Sequence, residues 1–526
     1  MKSSTLRRAN LSKEKMQVLE ALAGYRRQDY YPTTLSSQQN IPTQQIKERE
    51  LDVLWNNFKQ HTKQDKSPTV YLITGFIAGL IVMTIITIVL HLSVNTISNT
   101  TSDIAEKTAN TKVENTEITF WHSMGGKGGE AINSLVEEFN SSQDNITVIA
   151  EYQGSYDDSI NKLKSSALSN SGPDVMQLYD IGTKWMIDSE YAIPIQDMVD
   201  KNDYDISSLE KNILDYYTIG GKLYSMPFNS STPILFYNKT AFTEAGLTDE
   251  DIPTNFDEII EVANKLAVKN GNKVSRYGYA MQIYGWFFEQ FLIKQGLDYA
   301  NEGNGRSGDA TEVVFDSNNG ALNIVEGWKT LVDSGVVGNF GRDGQNTLDA
   351  FSSGNVAMIV ASTANLGDLK SKIGDSFELG TAYFPAVLEG DEGGVSVGGA
   401  SLWIMDKGDE EKENAAFEFI KFMVSAETQV KWAQATGYFS VSTEAYELSE
   451  MNEYLDANPE FKTAIEQLRE ENNNSGAVLG VFPEARASIE ENIEKVLNDE
   501  ITPETAVDNM AKTINSALEK YNKSNK

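Results

Sequence analysis

The stretch with the clearest chemical character sets small hydroxyls and an amide between two prolines: Pro227-Phe228-Asn229-Ser230-Ser231-Thr232-Pro233, within Gly221–Leu247. Such groups hydrogen-bond a polar solute, but without a neighbouring base they supply no activated nucleophile. The run is too hydrophilic for a core strand and too short for a loose linker. It reads as a segment crossing beside a ligand, and equally as an ordinary loop between two strands. Ile234-Leu235-Phe236-Tyr237 after it is rich in strand formers, and Asn238-Lys239 precede a helical stretch that stops at Gly246. Two more candidates come from position. Ile146, Val148 and Ala150 alternate as a strand does and lead to Tyr156, while Val175–Tyr179 reads as a strand ending on Asp180. Ligands of open α/β sheets sit outside the carboxyl ends of strands, which makes Tyr156 and Asp180 candidate ligand groups.

What is missing narrows the chemistry. The 526 residues contain no cysteine, which removes disulfides, zinc thiolates, cysteine nucleophiles and a lipid-modified cysteine anchor. Histidine occurs at His61, His91 and His122, so metal sites built on several histidines are excluded and a serine nucleophile has at most one imidazole base, in His122. No metal and no cofactor are expected, and His122 is expected to be structural. A pair of catalytic carboxylates, as in glycosidases, survives by count alone, but no pair is singled out by the sequence.

Charge and hydropathy divide the chain. Residues 1–69 carry 12 Lys and Arg against 7 Asp and Glu, and the remainder 32 against 69, about +5 and −37. So acidic a body repels nucleic acid, and no nucleic-acid partner is expected. Residues 1–69 hold two plausible helices, Leu11–Tyr25 and Ile46–Phe58, and read as a cytoplasmic tail. Val70–Leu90 is an uncharged apolar run of 21 residues, long enough to cross about 30 Å of hydrocarbon. It places a transmembrane helix at 70–92. Lys59, Lys63 and Lys66 precede it and the next basic residue is Lys107, so the N-terminus is expected inside the cell and the rest outside. With 69 residues ahead of it, the segment reads as a retained anchor of a bacterial cell membrane rather than a cleaved signal. Gly75 and Gly79 have the spacing through which two such helices could pair as a weak homodimer. Residues 93–115, rich in Ser, Thr and Asn, read as a stalk.

The body spans 116–526. Ile118 and Phe120 begin a strand, Gly125–Gly129 a glycine-rich turn, and Ala131, Ile132, Leu135, Val136 and Phe139 one face of a helix. That turn could cradle an anion, yet its spacing fits neither the P-loop nor the dinucleotide fingerprint, and a tight turn is the plainer reading. Thr254 is expected to cap a helix with Phe256, Ile259, Ala263 and Leu266. A single helix is expected from about Glu410 to Ala433, with Ala416, Phe419, Ile420 and Met423 on one face. Strands and helices alternate throughout, which makes the class α/β.

In this order the residues resemble an extracellular solute-binding protein of an ABC uptake system, of the glycerol-3-phosphate-binding type within the sugar-binding group. The matching stretches are Phe120–Met124; Pro227–Pro233 with Tyr237-Asn238-Lys239 and Ala245-Gly246-Leu247; Gly398–Trp403; and Thr436-Gly437-Tyr438. They cover about 116–526, and the first 115 residues lie outside the resemblance. It implies a two-lobed periplasmic-binding-protein-like (Venus-flytrap) fold behind the membrane helix, closing on a solute that is handed to permease subunits, with no enzymatic activity. It also implies ligand contacts at Tyr156, Ser231, Ser362, Gly399, Tyr438 and Arg486. Arg486 has few rivals as the charged donor, since the body's other arginines are at 276, 306, 342 and 469. On its own, Arg486 reads as a surface salt bridge on the helix starting near Pro483. Two positions depart from the family pattern. Asp180 stands where the family has Glu for the glycerol hydroxyls, and Trp286 keeps one of two tryptophans, with Ile283 in place of the other. Trp286 is expected to stack on the ligand or to be simple core.

The expected ligand is glycerol-3-phosphate or a glycerophosphodiester such as glycerophosphocholine, the zwitterion being less opposed by the acidic body. A mono- or oligosaccharide ligand, or a sensor signalling inward through residues 1–69, are the alternatives.

Overall fold

A computed structural model describes residues 115–525 apart from 168–170, 272 and 471–473. The expected tail, membrane segment, Gly75/Gly79 pair and nearly all of the stalk lie outside the described residues. Among the described residues no helix is long and apolar enough to cross a membrane.

Two sheets organise the body. The first has the order Ile146–Tyr152, Thr116–His122, Val175–Tyr179, Gly398–Met405, Ala192–Ile193, and Met226–Ser231 also pairs with Gly398–Met405. Its first three strands run parallel, in a register that sets Thr116 against Ile146 and Phe120 against Val175. Gly398–Met405 lies antiparallel beside them, with Ala400 opposite Tyr179. The second sheet has the order Val337–Gly338, Tyr279–Met281, Met358–Ser362, Pro233–Asn238, Leu379–Tyr383. Helices cover both sheets, so strands such as Val175–Tyr179 and Pro233–Asn238 are buried along their whole length and read as continuous apolar runs.

The chain passes from one sheet to the other at Thr232, between Met226–Ser231 and Pro233–Asn238. The polar run is therefore itself a strand, and it is fully buried, contrary to the expectation that it is too hydrophilic for a core. Its polarity is absorbed by partners: Asn229 takes hydrogen bonds within a side-chain network, and small Ser230 and Ser231 let Gly398 and Gly399 lie close alongside.

Three other expectations are corrected locally. The helix expected from Glu410 to Ala433 is two, Glu410–Val424 and Ala426–Thr436, because Ser425 is extended and its hydroxyl caps the second by accepting from the Thr428 N–H. The cap before Phe256 is Asn255, not Thr254. The Asn255 side-chain oxygen Oδ1 accepts from the Glu258 N–H, while the N–H and hydroxyl of Thr254 donate to the Glu258 carboxylate. The glycines after Gly125 form the first turn of helix Gly126–Ser142 rather than a turn ahead of it.

His122 ends the first strand, 2% exposed, among the rings of Phe120 and Tyr152. Its Nδ1 has no hydrogen-bond partner among the described residues, so no acid orients it as a base. Burial lowers its pKa to about 4. The unfolded chain, with an imidazole near 6.5, therefore binds the extra proton first as pH falls. His122 leaves stability intact above about pH 6.5 and removes it progressively toward pH 4. We expect the urea midpoint of the full chain to fall over that window and His122→Gln to flatten the slope; equal slopes would show that His122 does not titrate on unfolding.

Candidate functional site

Tyr156, Asp180, Ser231, Trp286, Ser362, Gly399, Tyr438 and Arg486 all line one cleft of about 240 Å³, together with Tyr179, Tyr284, Ala364 and Gly398. Most of them owe their place to the end of an element. Asp180 follows the buried strand Val175–Tyr179, where the chain turns into a short 3₁₀ segment. Ser231 ends the crossing strand, Ser362 ends Met358–Ser362, and Tyr156 opens helix Tyr156–Ala167. Those four ends sit where strand-end geometry places a ligand. Tyr284 and Trp286 stand at the start of helix Gly285–Lys294, and Arg486 lies on Phe482–Leu497, the helix packed against it.

The first sheet's wall is held by a chain of side-chain amides. The Ser123 N–H donates to Gln177 Oε1 (2.9 Å), and that fixes the orientation of the next two amides. Gln177 Nε2 then donates to Asn229 Oδ1 (2.7 Å), and Asn229 Nδ2 donates to the Tyr156 hydroxyl (3.1 Å). Because the Tyr156 oxygen is already accepting, its own proton is left to donate into the cleft. Burial pushes the pKa of Tyr156 and of Tyr438 up, so both remain protonated donors. Tyr156 stacks on Tyr179 at 5.3 Å, and Tyr438 on Trp432 at 5.7 Å, which fixes both rings.

The other wall is organised by Arg486. Nε donates to Glu289 Oε1 (2.7 Å) and Nη2 to Glu289 Oε2 (2.9 Å), a bidentate pair, while Nη2 also reaches Asp180 Oδ2 at 3.3 Å. The three side chains are 9%, 14% and 8% exposed, in the order Arg486, Glu289, Asp180. Arg486 is thus ion-paired but not on the surface, which corrects the plain reading of it as a surface salt bridge; the helix packs that face inward. Burial opposes the charge on Arg486, yet Glu289 and Asp180 outweigh it and hold its pKa above the ordinary value. Burial also raises the Asp180 and Glu289 carboxyls, against the pull of Arg486. Gly285 permits the close approach: a Cβ there would meet Arg486 Cγ at 2.7 Å.

Trp286 is 4% exposed, and its buried Nε1 has no hydrogen-bond partner among the described residues. It packs on Gly398, where a Cβ would lie 2.7 Å from the indole, so the ring is at once cleft wall and core. Ile283 is buried in the core and does not line the cleft. The Ser362 hydroxyl accepts from the Ala364 N–H at 3.2 Å. Sequence reasoning missed Tyr179, Tyr284, Asn229 as the anchor of Tyr156, and Glu289. Tyr179 and Tyr284 adjoin candidates already named, and Glu289 lies one helical turn beyond Trp286. A buried arginine requires such a carboxylate.

As a whole the site offers hydroxyl donors, one guanidinium and aromatic faces to a solute with polar and apolar parts. Arg486 is the single cationic residue among those lining the cleft. Among the described residues no cluster of His, Asp and Glu is arranged to hold a metal ion.

Comparison with known proteins identifies the family and the fold. The profile of the family described as bacterial extracellular solute-binding protein matches residues 134–463. The sn-glycerol-3-phosphate-binding periplasmic protein UgpB of Yersinia pseudotuberculosis is 32% identical over 420 residues, covering 78% of this chain and 94% of that protein. Among solved structures, UgpB from Mycobacterium tuberculosis in complex with glycerophosphocholine superposes with a TM-score of 0.66 at 22% identity, over 77% of this chain and 99% of that one. The GacH receptor of Streptomyces glaucescens, solved unliganded and with acarbose, gives 0.65 at 24% identity over 77% and 99%. These structures share the two-lobed fold.

Gly399 supplies a test of the wall. Its φ is +104°, and a Cβ would fall 2.0 Å from the Asn229 carbonyl oxygen on the neighbouring strand. Gly399→Ala is expected to cost about 2 kcal/mol or more in chemical denaturation, by strain and forced strand separation. Unchanged stability would contradict this packing.

Proposed function

Because this chain belongs to the bacterial extracellular solute-binding protein family, we propose that it captures glycerol-3-phosphate or a glycerophosphodiester such as glycerophosphocholine and delivers it to the permease subunits of an ABC uptake system. The observation that carries the ligand is the convergence, in one cleft, of a buried guanidinium with the hydroxyls of Tyr156, Ser231, Ser362 and Tyr438. A phosphate group wants just such donors from several directions. The glycerol-3-phosphate-binding relative supports the same reading at 32% identity. The family is generally non-enzymatic, and here the cleft carboxylate Asp180 and its neighbour Glu289 meet on one guanidinium rather than facing each other across a glycosidic bond.

In this proposal residues 70–92 anchor the protein in the bacterial cell membrane, with residues 1–69 inside and the two-lobed body outside. Tethering raises the effective concentration of the body near its permease. The solute stabilises the closed arrangement by contacting both lobes. A sugar is the second reading. It is favoured by the aromatic walls of Tyr156, Tyr179, Tyr284, Trp286 and Tyr438, and by an arginine that already has two partners.

Calorimetric titration of the full chain with glycerol-3-phosphate, glycerophosphocholine and maltose separates the readings. A phosphate ligand should bind, and Arg486→Ala should weaken it by about 2 kcal/mol or more, the worth of a charged hydrogen bond. Arg486→Lys, which keeps the charge and loses the fork, should be intermediate. Binding of maltose alone, indifferent to Arg486, would leave the fold standing and overturn the phosphate assignment.

A further inference from the structure

A guanidinium has five N–H donors in a rigid fork. In Arg486 three are spent: Nε and one Nη2 hydrogen on Glu289, the other Nη2 hydrogen on Asp180. Neither edge of the fork is free to grip two phosphate oxygens side by side. Among the described residues Nη1 makes no hydrogen bond, and its two N–H groups are what remains for a ligand.

Charge tells the same story. Two carboxylates and one guanidinium leave the trio at −1 when all are ionised; Glu490, held by the Gly285 N–H at 2.9 Å, is a further carboxylate nearby whose charge is partly offset by Arg342. None of the other residues lining the cleft is cationic. A phosphate dianion entering here meets a guanidinium already neutralised, in a setting where charges are weakly screened. Singly charged phosphate suffers less. Glu289 is the residue responsible, since it holds the fork by two bonds without lining the cleft: it lines a small cavity of about 20 Å³, room for one water, which adjoins the cleft at Asp180.

We propose that Glu289 sets the charge class of the ligand: by occupying the fork of Arg486 it makes the cleft select a singly charged phosphodiester over a doubly charged phosphomonoester. This rests on the phosphate reading above and narrows it. Glu289 acts through Arg486, as a positioning and specificity residue, and touches no ligand.

The probes are sn-glycerol 3-phosphate and its methyl phosphodiester, titrated into the full chain at pH 8. There the monoester, with a second pKa near 6, is a dianion, whereas the diester carries one charge. The wild-type chain should bind the diester more tightly, by about tenfold, which corresponds to 1.4 kcal/mol. Glu289→Gln keeps the shape and frees the charge of Arg486, and should move the affinity ratio toward the dianion by about tenfold or more. Glu289→Asp, which keeps the charge, should retain the wild-type order. Circular dichroism melting identifies a variant that fails to fold, and the wild-type comparison needs no variant. A wild-type preference for the dianion, or a ratio unmoved in folded Glu289→Gln, would overturn the role of Glu289 and leave the phosphate reading intact. Failure of both probes to bind the wild type, with maltose bound instead, would overturn the phosphate reading and this inference together.

Discussion

The buried ion contact of Arg486 with Glu289 and Asp180 is the constraint on which the site depends. Taking these groups out of water costs several kcal/mol each, and the loss is recovered only if their hydrogen bonds are made in good geometry. That requirement ties distant parts of the body together: Asp180 follows a strand of the first sheet, whereas Glu289 and Arg486 lie on two helices packed on each other, Gly285–Lys294, which follows strand Tyr279–Met281 of the second sheet, and Phe482–Leu497. Gly285 is without a side chain because Arg486 lies against it, and Trp286, next along, forms the wall beside it. One ion cluster therefore fixes the position of the charged donor and of an aromatic face.

The hydroxyl side is positioned by a different device. Its strands are joined through Thr232, so that Ser231 and Ser362 sit on either side of the crossing, close to where Gly398 and Gly399 pair with Ser231 and Ser230. The amide chain from Ser123 through Gln177 and Asn229 orients the Tyr156 hydroxyl. Cleft walls built on strand ends and fixed amides hold their donors in place before a solute arrives, which lowers the ordering cost of binding.

Much of this was legible in the sequence, for identifiable reasons. Asp180 and Tyr156 follow from the rule that ligands gather at strand ends, and the α/β class from alternation of periodicities. Ser231, Ser362, Gly399, Tyr438, Trp286 and Arg486 came through the family resemblance, and the structure gathers them in one cleft. What escaped depends on tertiary contact. Glu289 is one of 76 acidic residues, and nothing local marks it as the partner of an arginine 197 positions away. The burial of Met226–Ser231 was missed because composition alone cannot show that Asn229 finds partners in Gln177 and Tyr156. The break at Ser425 escaped for a local reason: serine is tolerated inside a helix and also caps one, and periodicity does not choose between the two.

In the proposed function a solute phosphate lies against Arg486 in the cleft between the two sheets. A crystal structure of the chain grown with glycerophosphocholine tests it most directly. The phosphate is expected within hydrogen-bond distance of Arg486 Nη1 and of the hydroxyls of Tyr156, Ser231, Ser362 or Tyr438, with the Arg486–Glu289 pair intact. A ligand bound with its phosphate away from Arg486, or a cleft left empty at saturating ligand, would contradict it.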